Sequence, residues 1–239
     1  MTANLADRSA LVIGAGGLGG PVLLALAGAG VGRVVLIDGD AVETSNLNRQ
    51  PLFTEADIGA RKAPTAARRL ARLFPASRVE AIDGRFDASS GPGLASSVDL
   101  LVDGSDNFET KFSANDVAVA AGKPLVHGGI LRFTAQILTI RPGSTGCLRC
   151  LFEEPPPAGS VPSCAEAGVL GALAGFGGAL MGAEALRLLA GETGTYAGRL
   201  FVYEARSARS RTVPVGRRQG CSACGSLGTT LEAGVGGAG

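Results

Sequence analysis

SALVIGAGGLGG (residues 9–20) is the stretch that decides the fold. Its apolar first half predicts a strand, SALVIG (9–14), and the glycines then open an apolar segment, 17–29, that predicts a helix. The next segment, RVVLID (33–38), is continuous and β-branched, as in a buried parallel strand. A strand, a tight glycine turn, a helix and a second strand in this order indicate a nucleotide-binding α/β sheet.

Alternating strands and helices continue to about residue 130, which predicts a doubly wound, Rossmann-like, mostly parallel sheet. The further strands of this part are RVEAID (78–83), DLLVDG (99–104) and PLVHGG (124–129), and its further helices cover 61–74 and 108–121. The helix over 61–74 is expected to have a basic outer face formed by Arg61, Lys62, Arg68, Arg69 and Arg72. Beyond residue 130, the segments FTAQILTI (133–140) and LFVYEA (200–205), with a helix over 169–190 between them, predict an antiparallel extension of the sheet.

Composition excludes several classes of protein. The chain has 239 residues with 22 Lys and Arg against 21 Asp and Glu, a net charge of +1, so it has no global attraction to nucleic acid or to an anionic membrane. The uncharged stretches 10–32 and 167–183 are rich in glycine and are interpreted as core elements, not as membrane spans. We expect a cytoplasmic protein with a single domain over 1–225 and a flexible glycine-rich tail over 226–239.

The glycine loop is a candidate phosphate site. Gly14, Gly16, Gly17 and Gly19 carry the G-x-G-x-x-G pattern between a strand and a helix, where backbone N–H groups can approach a phosphate. Asp38 ends the next strand, where a carboxylate can accept hydrogen bonds from ribose hydroxyls. The alternative is that the glycines only permit close packing. The motif does not distinguish ATP from a dinucleotide.

Four of the five cysteines form two C-x-x-C pairs with 70 residues between them. These pairs are Cys147 with Cys150 and Cys221 with Cys224. Two such pairs supply the four thiolates of a tetrahedral Zn²⁺ site, with no position left for water, so the metal is expected to be structural. The alternatives are redox disulfides and plain buried thiols.

Cys164 is the fifth cysteine and lies in the Pro-rich segment 153–168, which cannot be helical before about Ala165. A thiol near a helix N-terminus can become nucleophilic, and an inert small side chain is the alternative.

Charged residues follow two of the predicted strands. Asp40 and Arg49 follow the second strand, and Asp106 follows the strand over 99–104, so all three are expected at the ligand-binding edge of the sheet. Asp106 can hold Mg²⁺, while Arg49 and Lys62 can neutralise phosphates. Each also has an ordinary explanation: Asp106 as a helix N-cap, and Arg49 and Lys62 as solvated surface charges. His127, the single histidine, is interpreted as a satisfied core residue.

These pieces together resemble the ThiF/MoeB/HesA family, the bacterial relatives of ubiquitin-activating enzymes. The matching segments are GAGGLGG (14–20), LIDGDAVETSNLNRQ (36–50), ARKA (60–63), DGSDN (103–107), CLRC (147–150), SCAEAGV (163–169) and CSACG (221–225). The resemblance implies a homodimer with structural zinc and Mg·ATP. It also implies adenylation of the C-terminal glycine carboxylate of a small ubiquitin-like sulfur carrier protein, as in thiamine or molybdopterin synthesis.

The resemblance also assigns roles to residues. It implies phosphate-loop contacts for Gly17, ribose contacts for Asp38, and Mg²⁺ binding for Asp106. Arg49 and Lys62 match catalytic groups at the phosphates, and Cys164 matches a cysteine that links covalently to the carrier in some members. The remaining implied nucleotide contacts are Asp40, Ser45, Asn46 and Asn107.

The chain departs from the family pattern at its N-terminus. Family members carry an arm whose Arg-Gln pair reaches the partner's phosphates, and Arg8 does not match that motif. Three alternatives stand beside the adenylyltransferase. The glycine loop also fits an NAD-dependent oxidoreductase, and the missing motif fits a family member that binds ATP or a carrier without turnover. An enzyme that activates a short peptide is the third.

Overall fold

The computed structural model describes residues 4–157, 159–162 and 164–227, which contain one eight-stranded sheet. The strands are β1 (Ser9–Ile13), β2 (Arg33–Ile37), β3 (Arg78–Ile82), β4 (Leu100–Asp103), β5 (Leu125–Leu131), β6 (Thr134–Ile140), β7 (Arg199–Glu204) and β8 (Arg209–Pro214). Their order across the sheet is β3-β2-β1-β4-β5-β6-β7-β8.

The sheet has a parallel half and an antiparallel half, as the sequence predicted. The first five strands in spatial order pair in parallel, and β5 to β8 pair antiparallel to one another. β1 lies between β2 and β4. The chain adds β2 and β3 on one side of β1 and then returns to add β4 and β5 on the other side. This reversal is the switch point at which doubly wound sheets bind ligands.

Strand β8 is the strand that the sequence analysis did not identify. All six of its residues, RSRTVP, are exposed, and it pairs only with β7 in the described part of the chain. An exposed edge strand has no buried face to impose an alternating apolar pattern, and arginines at such an edge discourage pairing with other chains. Strand β8 is therefore defined by its pairing with β7, which cannot be inferred from the sequence of residues 209–214 alone.

The helices cover both faces of the sheet. They are α1 (Gly19–Gly28), α2 (Lys62–Leu73), α3 (Gly91–Ser96), α4 (Phe108–Ala120), α5 (Leu148–Leu151), α6 (Cys164–Ala167) and α7 (Gly171–Leu189), with 3₁₀ turns at Thr44–Asn46 and Glu55–Asp57. Alternate residues of β1 enter opposite cores: Val12 packs with α1 and α7, and Leu11 packs with α4. This alternation across a fully buried strand explains the continuous apolar run.

Helix α7 is long and apolar enough to cross a membrane by length and composition, but it packs in the core of the protein. It approaches α1 through small residues: a Cβ on Gly178 would lie 2.5 Å from the Leu18 carbonyl oxygen, and one on Gly182 would lie 2.7 Å from Cβ of Ala25. Close helix packing therefore explains this uncharged stretch, which the sequence predicted to be a core element.

The boundaries differ from the predictions in a few places. α6 covers Cys164–Ala167 and ends at Gly168, whose φ of +73° breaks the helix before α7 begins. The predicted basic face of α2 is also partly wrong, because Lys62 is buried and only 6% exposed. The predicted tail over 226–239 lies almost wholly outside the described residues.

Candidate functional site

A cavity of about 510 Å³ lies at the carboxyl edge of β1, β2 and β4, at the switch point of the sheet. Its volume is in the range of small-molecule sites. The predicted site residues that line it are Gly14, Gly16, Gly17, Asp38, Asp40, Arg49, Lys62, Asp106 and Asn107. Nine residues named from separate segments of the sequence thus meet at one site.

The glycine loop is tightly interlocked with the end of β4. Gly14 has φ +90°, and a Cβ there would lie 3.1 Å from the Gly104 carbonyl oxygen. A Cβ on Gly19 would lie 1.8 Å from the Gly14 carbonyl oxygen, a distance that no side chain allows. Gly19 does not line the cavity. A glycine is therefore required at position 19 for close packing. Gly16 and Gly17 line the cavity near the start of α1.

Asp38 fastens the glycine loop to the end of β2. Its Oδ2 accepts a hydrogen bond from the Ala15 N–H at 2.7 Å, and its Oδ1 accepts one from the Asp40 N–H at 2.8 Å. Burial raises the pKa of this carboxyl despite the two backbone donors. Each oxygen keeps a second lone pair, so the carboxylate can also accept from sugar hydroxyls.

Lys62 reaches the cavity from the first turn of α2. Its Nζ lies 3.2 Å from Oδ2 of Asp40, and its side chain is 7% exposed while that of Asp40 is 59% exposed. Because the ammonium is buried and its carboxylate partner faces solvent, a phosphate with more negative charge can bind to Lys62 in place of Asp40.

The loop SNLNRQ contributes in two ways. The Arg49 guanidinium donates to the Ser45 carbonyl oxygen at 2.8 Å and to Oδ1 of Asn48 at 3.1 Å, and it makes no ion pair within the described residues. Ser45 and Asn46 themselves do not line the cavity. Gln50 does, and its buried Oε1 has no hydrogen-bond partner in the described chain.

Asp106 and Asn107 have different roles in the structure. Oδ1 of Asn107 accepts from the Thr110 N–H at 2.9 Å and caps α4. The capping role considered for Asp106 is therefore wrong. The Asp106 side chain is exposed to the cavity and has no hydrogen bond or ion pair among the described residues. A free carboxylate at the ligand edge is suited to a hard divalent cation.

A buried ionic cluster lies directly below this loop. Oδ2 of Asp103 lies 2.8 Å from Nδ1 of His127 and 3.4 Å from Nζ of Lys111. Although burial alone would raise it, these two partners hold the pKa of the Asp103 carboxyl well below its usual range. Burial lowers the pKa of His127. The expected core role of His127 agrees with its burial, and Lys111 is a partner that the sequence analysis did not consider.

A second, larger cavity of about 990 Å³ opens beside the first, and both are lined by Ile130. This apolar groove is bounded by Phe108, Phe112, Phe133, Phe152 and Val161. Phe108 and Phe152 are 40% and 49% exposed. Part of its rim comes from the Pro-rich segment through Glu154 and Pro156.

The four paired cysteines converge on one point, as predicted. Their sulfur atoms all lie within 4.8 Å of one another, with 3.9 Å between Cys147 and Cys150, 3.7 Å between Cys147 and Cys221, and 3.4 Å between Cys150 and Cys224. Tetrahedral zinc with Zn–S bonds of about 2.3 Å requires S···S distances of about 3.8 Å. The donor set and its spacing therefore fit zinc.

The thiols need a cation to ionise together. Burial raises the pKa of the Cys147 thiol above its usual range and that of Cys224 to about 11. For Cys221 the burial penalty is outweighed by the backbone N–H groups of Cys224 and Ala223, and its pKa is lowered to about 7. Four adjacent thiolates would repel one another without a metal ion between them.

Some site features fall outside the predictions. Arg85 and Phe86 line the cavity on the loop after β3. Because β3 is parallel to β2 and lies next to it, the loop after β3 reaches the same edge of the sheet as the cavity. The predicted parallel sheet was therefore the feature of the sequence from which these two residues could have been placed at the site. Cys164 is the first residue of α6, and its side chain lies outside what the structure describes.

The doubly wound sheet, the glycine loop and the cavity at the switch point define a nucleotide-binding α/β protein. A ThiF family model matches residues 2–223, so the chain belongs to the ThiF family. It is 48% identical over 234 residues to the sulfur carrier protein adenylyltransferase of Thermus thermophilus, covering 96% of this chain and 86% of that protein.

Other relatives extend the comparison. The SAMP-activating enzyme E1 of Haloferax volcanii is 42% identical, over 94% of this chain and 83% of its own. The probable adenylyltransferase/sulfurtransferase MoeZ of Mycobacterium tuberculosis is 44% identical, over 89% of this chain and 55% of its own. Among solved structures, Escherichia coli MccB with AMPCPP and MccA superposes with a TM-score of 0.81 at 25% identity, over 92% of this chain and 68% of its own. Family membership and the relatives named as adenylyltransferases favour that activity over the NAD-dependent oxidoreductase considered from the sequence.

Proposed function

We propose that this protein is an ATP-dependent adenylyltransferase that activates the C-terminal glycine carboxylate of a small ubiquitin-like sulfur carrier. The observation that carries the proposal is the convergence of Lys62, Arg49, Asp38 and Asp106 on one cavity, which the glycine loop also lines. The named adenylyltransferases among its relatives support this activity.

The residues define where ATP would lie. Asp38 would receive the ribose hydroxyls, and the phosphates would follow the start of α1 toward Lys62 and Arg49. Gln50 also lines this cavity, and its buried Oε1 has no hydrogen-bond partner in the described chain. Asp106 would hold Mg²⁺, which when bound neutralises charge on the phosphates.

The chemistry follows from this placement. A terminal carboxylate attacks the α-phosphorus, the bond from that phosphorus to the bridging oxygen breaks, and pyrophosphate leaves. Negative charge grows on the leaving group, and Lys62 and Arg49 stabilise it in place of water. The enzyme forms no covalent bond at this step, which agrees with a cavity whose charged side chains are cations and carboxylates.

The apolar groove beside the cavity is proposed as the path of the carrier's extended tail. It shares Ile130 with the nucleotide cavity, and its rim includes Pro156 and Val161 of the Pro-rich segment. We further propose that the protein is a cytoplasmic homodimer with one structural zinc ion per chain in a single domain. The same proposal includes a later step, in which a Cys164 persulfide charged by an external persulfide donor attacks the carrier acyl-adenylate, forms an acyl-persulfide link to the carrier and releases AMP.

The test is ATP–pyrophosphate exchange with Mg²⁺, with and without a sulfur carrier that ends in Gly-Gly. We expect carrier-dependent exchange that is lost in D106N. If a short peptide supports exchange and a carrier does not, the substrate is a peptide, and the proposed carrier activation is wrong. ATP binding without any exchange would indicate a binding protein and contradict the proposed activity.

A further inference from the structure

We propose that Lys111 is a positioning residue for adenylation, which fixes the backbone that carries Asp106; this inference rests on the proposed function. Lys111 does not line the nucleotide cavity, although it contributes to the lining of the apolar groove beside it. The metal measurement proposed below is made without a carrier, so it does not depend on that groove. It lies in the first turn of α4, is 8% exposed, and points back beneath the loop between β4 and α4.

The Lys111 ammonium joins two backbone segments. Its Nζ donates to the Ser105 carbonyl oxygen at 2.6 Å and to the Gly128 carbonyl oxygen at 2.6 Å. Ser105 directly precedes Asp106, and Gly128 lies in the buried part of β5. One side chain thus ties the loop to the rigid interior of the sheet.

Asp103 holds the other side of the same residue. Its Oδ1 accepts from the backbone N–H of Ser105 at 3.0 Å, and its Oδ2 lies near Lys111 and His127. The N–H and the C=O of Ser105 are therefore both fixed, one by the buried carboxylate and one by the buried ammonium. The N–H belongs to the peptide group that precedes Ser105 and the C=O to the peptide group that leads into Asp106, so both peptide groups flanking Ser105 are held and have little freedom to rotate.

The loop is also fixed on the far side of Asp106, because Asn107 caps α4. Asp106 is thus bracketed by two fixed neighbours, while its own carboxylate makes no hydrogen bond or ion pair in the described part of the chain. The intramolecular bonds around it act on the backbone and leave the carboxylate available to an external cation. Positioning of this kind is worth much in catalysis, since a displacement of about 1 Å can cost about a hundred-fold in rate.

Charge balance of Asp103 is the purely structural alternative for Lys111, and the two roles give different results. A structural role predicts a loss of stability alone. A positioning role predicts in addition a weaker metal site. Glu184 provides the matched control, because it is another buried charged residue, 1% exposed and hydrogen-bonded to Thr139, Thr195 and Tyr196, away from the cavity.

The experiment compares the wild type with K111M, K111R and E184Q. Mn²⁺ binding to each protein is measured by electron paramagnetic resonance with a non-hydrolysable ATP analogue present, together with thermal unfolding and pyrophosphate exchange. For K111M we expect the Mn²⁺ dissociation constant and the Mg²⁺ concentration for half-maximal exchange to rise about ten-fold or more, with partial recovery in K111R, whose guanidinium keeps the charge and the donors. E184Q is expected to lower the unfolding temperature without changing either metal constant.

Equal metal constants in K111M and the wild type, or equal shifts in K111M and E184Q, would overturn the positioning role. If K111M does not fold, the same measurements are made on K111Q, whose amide keeps two donors without the charge. The same outcomes then support or overturn the positioning role. Failure of the proposed function is distinguishable, because it would appear as no carrier-dependent exchange in the wild type. The Mn²⁺ measurement then still decides the role of Lys111.

Discussion

Nζ of Lys62 lies 3.2 Å from Oδ2 of Asp40, in the wall of the nucleotide cavity. The ammonium is buried and the carboxylate is exposed, so an incoming phosphate can replace Asp40 as the partner of Lys62. We predict that K62M weakens ATP binding about 10- to 100-fold, because a charge-assisted hydrogen bond contributes about 1.5–3 kcal/mol. D40N is expected to bind ATP at least as tightly as the wild type. Titration calorimetry measures both, and a D40N loss equal to that of K62M would contradict this account.

Because Asn107 is the N-cap of α4, two substitutions at this position are expected to differ in their effect on stability. N107A removes the acceptor for the Thr110 N–H and is expected to lower the free energy of unfolding by about 1 kcal/mol. N107D keeps an acceptor and is expected to retain stability, while its added charge in the cavity weakens ATP binding. Urea unfolding measures the stabilities. Equal losses in N107A and N107D would show that the cap does not contribute.

His127 predicts a loss of stability on mild acidification. Its pKa is lowered from 6.5 in the fold by burial, so below that pH the unfolded chain binds a proton that the folded chain does not. Stability therefore falls as the pH decreases from about 7 to 5, by at most about 1.4 kcal/mol per pH unit. The chain has one histidine, so H127Q is expected to flatten this part of the profile in zinc-loaded protein. An unchanged slope in H127Q would assign the effect to another group.

The cysteine cluster predicts one zinc ion per chain with a structural role. C224S removes one of the four sulfur ligands and is expected to lower both the zinc content and the unfolding temperature, because metal binding free energy is folding free energy in such sites. C164A is the matched cysteine control and is expected to retain the metal. Zinc is measured by inductively coupled plasma mass spectrometry. Full zinc occupancy in C224S would contradict a four-cysteine site.

The glycine loop predicts a large contrast between two helical glycines. A methyl group on Gly19 would overlap the Gly14 carbonyl oxygen, so G19A is expected to prevent folding of the loop. Gly93 in α3 has no atom within 4 Å of an added Cβ, and G93A is expected to stabilise by about 0.4–1 kcal/mol. Thermal unfolding of both variants checks this. A folded G19A protein with wild-type stability would show that the close approach to Gly14 is not required.

Local spacing made much of this site predictable. The glycine pattern, Asp38 and the two cysteine pairs each depend on short-range chemistry, so the sequence indicates them directly. The metal-binding candidate Asp106 was also identifiable, because it follows an apolar strand at its carboxyl end.

The features that escaped prediction are non-local. Lys62 was predicted as a phosphate-neutralising residue, but its burial was not, because only the packing of α2 against the cavity shows it. Lys111 acquires its role from Gly128, which is 17 residues away and lies on another strand. The apolar groove combines aromatic residues from several elements, none of which forms a recognisable pattern alone.

In the proposed reaction, the carrier carboxylate attacks the α-phosphorus of ATP. The most direct measurement incubates the enzyme, Mg²⁺ and a carrier ending in Gly-Gly with ATP labelled at either the α- or the γ-phosphate. We expect the α-label to stay with the carrier after rapid acid quenching and the γ-label to leave as pyrophosphate. Transfer of the γ-label to the carrier, or release of ADP, would contradict the proposed reaction.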